Sequence, residues 1–201
     1  SVHMAAFRLD RFQGKGRIGA EVGAMTEEGT LLGSRSTGGL ALADHARTTW
    51  LKLDADVLVG RKLTLAVTAI GALTEPGSTS GSLFGTIGTI TTTSFAVRLA
   101  GSGLIRPGDA FSLTLHQPLR VEQASATLVS GVGRDLETGD VIFGATGFSL
   151  TPSGREISLE AAYRLNFGPW TAEANLAYRL DADHVAGRRD LMGLLNFSRL
   201  F

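Results

Sequence analysis

The residues able to do chemistry are few and dispersed. Four histidines stand at positions 3, 45, 116 and 184, and two of them follow acids, as Asp44-His45 and Asp183-His184. A Ser-His-Asp triad is unconstrained by such scatter, because its members are recognised by mutual geometry rather than by sequence position. The Asp-His steps read as solvated loop pairs rather than metal ligands, since a closed zinc site wants four donors. Gly131-Val132-Gly133-Arg134 has the glycines of a phosphate loop but neither its lysine nor a following helix, and reads as a strand end or turn. With no cysteine, thiolate chemistry and disulfides are excluded. The expectation is a chain with no catalytic residue, no metal and no cofactor. What remains is a regular set of charges: Arg17, Glu21, Lys52, Asp54, Asp56, Arg98, Glu156, Glu160, Arg164, Glu173 and Arg179. Each alternates with apolar neighbours, and their chemistry would be ion pairing along one polar surface.

The elements that position those charges are extended strands. From Glu156 to Leu165 the apolar set Ile157, Leu159, Ala161, Tyr163 and Leu165 alternates with Glu156, Ser158, Glu160, Ala162 and Arg164. The pattern resumes with Trp170, Ala172, Ala174, Leu176 and Tyr178 against Thr171, Glu173, Asn175, Ala177 and Arg179. A two-residue period means a β-strand with distinct faces. An antiparallel register with Leu165 opposite Trp170 also sets Leu159 against Leu176 and Glu156 against Arg179. Similar alternations run through 17–24, 51–59, 63–69, 94–99 and 111–116. The three-residue step Gly60-Arg61-Lys62 predicts a hairpin with Val59 opposite Leu63.

Turn signals at Glu28-Gly29, Pro107-Gly108-Asp109, Thr138-Gly139-Asp140 and Pro152-Ser153-Gly154 separate the runs. Gly19 and Gly23, however, fall inside one. The Gly/Ser/Thr-rich stretch 71–90 reads as a long loop. Gln117-Pro118-Leu119-Arg120 reads as a bulge, because proline cannot donate to a ladder. About ten to twelve strands result, arranged as an antiparallel up-and-down β-barrel, with a soluble β-sandwich or barrel as the alternative. Residues 1–4, Ser-Val-His-Met, read as a cloning scar ahead of a fragment of a longer protein, and 5–201 as a single β-barrel domain.

Composition narrows the function classes. Formal net charge over 201 residues is zero, which removes a general electrostatic case for nucleic acid. Only Lys15, Lys52 and Lys62 are lysines and the other basic residues are arginine, which suits desolvated carboxylate pairing, although a high-GC genome gives the same bias. No apolar run approaches the ~20 residues of a membrane helix. Strands alternating over nine or ten residues have the length of tilted membrane strands. Trp50, Tyr163, Trp170 and Tyr178 sit near strand ends, where an interfacial girdle would place them. A final strand ending in Phe201, with Phe197 before it, reads as an assembly signal. Arg199 and Leu200 break the usual alternation of such a signal. The eleven charges share a face that cannot meet lipid, so in a barrel they line the lumen.

In their order along the chain, Glu27-Glu28-Gly29-Thr30-Leu31-Leu32-Gly33-Ser34, Thr48-Thr49-Trp50-Leu51, Thr92-Thr93-Ser94-Phe95, Arg106-Pro107-Gly108-Asp109 and Gln117-Pro118-Leu119-Arg120-Val121-Glu122 form a pattern. Pro152-Ser153-Gly154-Arg155-Glu156 and Tyr178-Arg179-Leu180-Asp181-Ala182-Asp183-His184 continue it. From about residue 16 onward the chain resembles the autotransporter-like β domain that follows the protease in exported subtilisin-like serine proteases of alphaproteobacteria. That resemblance implies a non-catalytic outer-membrane translocator or anchor. Its expected partners are an N-terminal protease passenger, outer-membrane lipid and the barrel-assembly machinery. The subtilisin nucleophile segment Gly-Thr-Ser-Met-Ala is absent, in keeping with a protease lying in another part. The chain is shorter than the usual twelve-stranded translocator. The competing expectation is a secreted or periplasmic soluble module that assists an attached protease in folding, substrate capture or surface attachment.

Overall fold

The computed structural model describes residues 1–79 and 81–199. It contains twelve strands: β1 (Val2–Gln13), β2 (Gly16–Glu28), β3 (His45–Val59), β4 (Leu63–Pro76), β5 (Phe84–Ile87), β6 (Ile90–Ser102), β7 (Ala110–Gln123), β8 (Ser125–Arg134), β9 (Val141–Ser149), β10 (Ile157–Phe167), β11 (Trp170–Leu180) and β12 (Arg189–Arg199). The fold is all-β and antiparallel, as the alternation predicts. Nine strands form one sheet in the order β1-β2-β3-β4-β6-β7-β10-β11-β12, and β5-β8-β9 form a second. Among the described residues the large sheet does not close into a ring, and β1 and β12 are its edges.

Connection lengths polarise the sheet. Residues 14–15, 60–62, 103–109 and 168–169 make short turns at one end, and 29–44, 77–89, 124–156 and 181–188 make long connections at the other. The small sheet and two one-turn 3-10 helices, Gly38–Leu40 and Ala182–His184, belong to the long connections. So does the buried apolar cluster of Leu31, Ala43, Ala46, Ile90 and Ala124, with Leu32, Leu42, Ile87 and Val121 packed against it. Among the described residues the large sheet therefore buries apolar side chains only where loops fold over its end.

Several expectations change in detail. Residues 2–4 belong to β1, paired with residues 25–27. The β10–β11 hairpin turns in two residues, with Phe167 opposite Trp170, Leu165 opposite Ala172 and Ser158 opposite Arg179. This register is two residues from the expected one, so every side chain keeps its face. Val59 lies opposite Leu63, as expected. Of the stretch 71–90, the first six residues extend β4, and Phe84–Ile87 form β5. Pro118 and Leu119 together face Ser94, between the pairs Phe95–Gln117 and Thr93–Arg120, which is the expected bulge. Gly131–Arg134 is the end of β8, as read.

Candidate functional site

The cross-strand pairs carry one face across the whole sheet. Arg17 lies opposite Asp56, Glu21 opposite Lys52, Gly19 opposite Asp54, and the row through Asp56 continues by Ala66, Arg98, Thr114, Glu160 and Ala177. Arg164 faces Glu173, and Ser158 faces Arg179. All eleven charged residues singled out in the sequence thus share one face, here termed the inner face.

On β1–β3 the charges form a ladder. Arg8 donates to Asp54 at 2.9 Å and to Asp10 at 2.8 Å. Arg17 reaches Asp56 at 2.7 Å, Asp54 at 2.8 Å and Asp10 at 3.0 Å. Asp54 is buried by this encirclement, which repays part of its desolvation through charge-assisted hydrogen bonds. The strand-interior glycines now have a reason. A Cβ on Gly19 would sit 2.5 Å from the Arg8 guanidinium, and one on Gly23 would sit 2.1 Å from the Trp50 ring. Lys52 and Arg98 stand on the same face beyond the ladder. Further round, His116 meets Glu160 at 3.0 Å and Arg164 meets Glu173 at 3.1 Å.

A second cluster gathers at the long-connection end, from three segments distant in sequence. Glu156 accepts from Arg179 at 2.7 and 2.8 Å, from Ser158 at 2.8 Å and from the Asp183 N–H at 2.7 Å. Arg179 holds its carboxyl at about 2, below the ordinary 4.5, and the other donors outweigh the opposing effect of burial. Arg179 also pairs with Asp183 and Asp190. The Glu156 N–H donates to His184 Nδ1 at 3.0 Å, so the ring carries its proton on Nε2 and donates to the Leu119 carbonyl at 3.0 Å. Arg120 donates to the carbonyls of Gly154 and Pro152, and Arg155 pairs with Glu122 at 2.7 Å. Residues 117–122, 152–156 and 179–184 therefore make one joint. His184 is a structural tie in it and not the solvated loop residue expected.

The opposite face is apolar and open. Leu9, Ile18, Val22, Leu51, Leu53, Val67, Leu115, Leu159, Leu176, Leu195 and Phe197 all point outward and are exposed, Leu53 at 51 % and Leu195 at 76 %. Among the described residues charge returns to this outer face only toward its rims, at Glu28, Arg47, Glu75, Arg120, Glu122 and Arg189 on one side and Arg11 and Arg199 on the other. Tyr163 and Trp170 lie near the short-turn rim. Tyr163 donates to Asp109 at 3.0 Å, and Arg199 covers the Trp170 ring at 5.2 Å. In that turn, burial alone would raise the Asp109 carboxyl, but N–H donors from Arg106, Ile105 and Leu104 hold it down at about 2. Trp50 departs from the girdle expectation. It faces inward and its indole N–H donates to Glu21 at 3.0 Å.

Sequence reasoning missed β1 and with it Arg8 and Asp10. Ala5, Phe7 and Leu9 do alternate with Ala6, Arg8 and Asp10, but Arg11 and Phe12 then invert the pattern. Phe197 lies on the outer face of β12, and Phe201 falls outside the described residues. Among the described residues no helix is long and apolar enough to cross a membrane, which leaves crossing by strands untouched. No family model, no curated protein and no solved structure matches this chain.

Proposed function

We propose that this chain is the lipid-facing wall of an outer-membrane β-barrel, a non-catalytic translocator or anchor for an exported subtilisin-like protease carried in another part of the parent protein. One observation carries the reading: a nine-stranded sheet sets paired charges on one face and a wide, exposed, uncharged apolar belt on the other. Water would charge about 25 cal/mol for each Å² of that belt left wet, whereas lipid removes the penalty. Tilted strands of nine to eleven residues cross an apolar layer of ~25 Å, and the charged rims would meet its two interfaces. Long connections at one end and short turns at the other also fit such barrels. The lumen would be lined by Arg17, Glu21, Lys52, Asp54, Asp56, Arg98, Glu156, Glu160, Arg164, Glu173 and Arg179. That polar surface would let an extended passenger cross without meeting lipid.

Expression without a leader, followed by size-exclusion chromatography with and without detergent, tests this. Folded β-structure obtained only in detergent, with insertion into liposomes, is the expected result. A sharp monomer peak in plain buffer with cooperative unfolding would overturn it in favour of the soluble accessory module.

A further inference from the structure

The large sheet has a parity problem. Nine consecutive antiparallel strands leave its two edges, β1 and β12, running in the same direction, both ending at the short-turn end. A ring in which every neighbour is antiparallel needs an odd number of further strands between them, and the smallest such number is one. The β12 edge is unprotected along its middle. Neither strand contains proline, the charges of β12 lie only at its ends, in Arg189, Asp190 and Arg199, and the mid-strand charges of β1, Arg8 and Asp10, are engaged with Asp54 and Arg17 within the sheet. Edges that natural proteins leave open are normally guarded by charge, proline or bulges, because free N–H and C=O groups recruit another strand.

The inner face next to the opening states the chemistry of the missing neighbour. In one cross-strand row the inner residues run Arg98, Thr114, Glu160, Ala177 and then Met192 at the edge. In the next, Ser112, Ala162 and Asn175 lead to Leu194. Met192 is 50 % and Leu194 63 % exposed, and across the opening β1 presents inward Met4 at 69 % and Phe12 at 75 %. Polar rows thus become apolar at the middle of β12, while on β1 Met4 and Phe12 flank Arg8 and Asp10, whose charges are already paired with Asp54 and Arg17.

We infer that the opening between β1 and β12 is a docking place for one extended polypeptide segment, antiparallel to both strands and uncharged on both faces along its middle. It rests on the wall reading in requiring ring closure. Its outer side would complete the apolar belt, its inner side would cover Met4, Met192 and Leu194, and its backbone would satisfy both edges.

The chain has no cysteine, so engineered thiols report cleanly. The probe is a synthetic peptide of sequence Arg189–Arg199, which has the stated chemistry, carrying one added cysteine at either terminus. The full chain carries Arg11→Cys on β1 or Phe197→Cys on β12, both at the short-turn end. Disulfide formation with the N-terminal cysteine should exceed that with the C-terminal cysteine about tenfold at both sites, since seating raises the effective thiol concentration to millimolar. A peptide with Lys at the positions of Met192 and Leu194 should lose this advantage. Equal reaction of both termini, or reaction at neither site, overturns the proposal. So does spontaneous closure of the Arg11→Cys, Phe197→Cys double variant without peptide, or dimers linked through Arg11→Cys alone. The measurement is made in detergent and in plain buffer. Oriented capture by a chain that is soluble in buffer would overturn the wall reading while leaving the docking place standing.

Discussion

Glu156 shows how a single carboxylate can hold a joint together. It is almost fully buried and accepts four hydrogen bonds, two of them from Arg179. Removing one partner of a buried pair leaves the other charge uncompensated, at a cost of about 3 kcal/mol. Glu156→Gln should therefore destabilise the chain by roughly that amount at neutral pH, read by denaturant unfolding in the medium where it folds. Because the folded-state carboxyl sits near 2 and the ordinary value is 4.5, its contribution is complete above about pH 4.5. It drains away as pH falls toward 2. The gap between parent and Glu156→Gln should close across that window, and a gap independent of pH would show that the charge is not what stabilises. The pair was legible from sequence, since Glu156 and Arg179 fall on one face in either register. Ser158 shares that face two residues on, whereas the Asp183 N–H on the same carboxylate was not legible, because it depends on how the 181–188 connection folds back.

At the scale of elements, the bulge at Pro118 and Leu119 links the strands to the joint. The extra residue turns Arg120 and Glu122 onto the outer face beside Thr93 and frees the Leu119 carbonyl to accept from His184. His184 thereby ties β7 to the segment entering β10. Loss of the ring should loosen the connection without unfolding the sheet. His184→Ala is expected to raise amide exchange at Glu156 and in 181–188 at least tenfold, a change of about 1.4 kcal/mol in local opening, while β2 and β3 stay protected. Equal acceleration in β2 and β3 would mean that the joint supports the whole sheet. The bulge was readable from its proline, whereas the histidine's role was not, because Asp183-His184 in a loop carries no periodic signal.

For the whole molecule the question is what covers the outer face. Leu53 lies mid-belt, opposite Ala20 and Ala69, and is half exposed. In lipid, Leu53→Arg should cost about 2–4 kcal/mol, seen as poorer refolding into vesicles. On a wetted surface the same change would stay within about 0.5 kcal/mol. A variant that refolds into vesicles as well as its parent would remove lipid from the outer face.

Sequence alone determined the strands, their two faces and the grouping of the eleven charges, because a two-residue period records the direction of every side chain. It also indicated two glycines out of place within a strand. Tertiary structure decided which partners each charge takes, which side chains fill the space over Gly19 and Gly23, and that Trp50 turns inward. It also left β1 and β12 as edges of the large sheet among the described residues. These depend on the approach of strands far apart in the chain and on the count of strands in one sheet, and local alternation encodes neither.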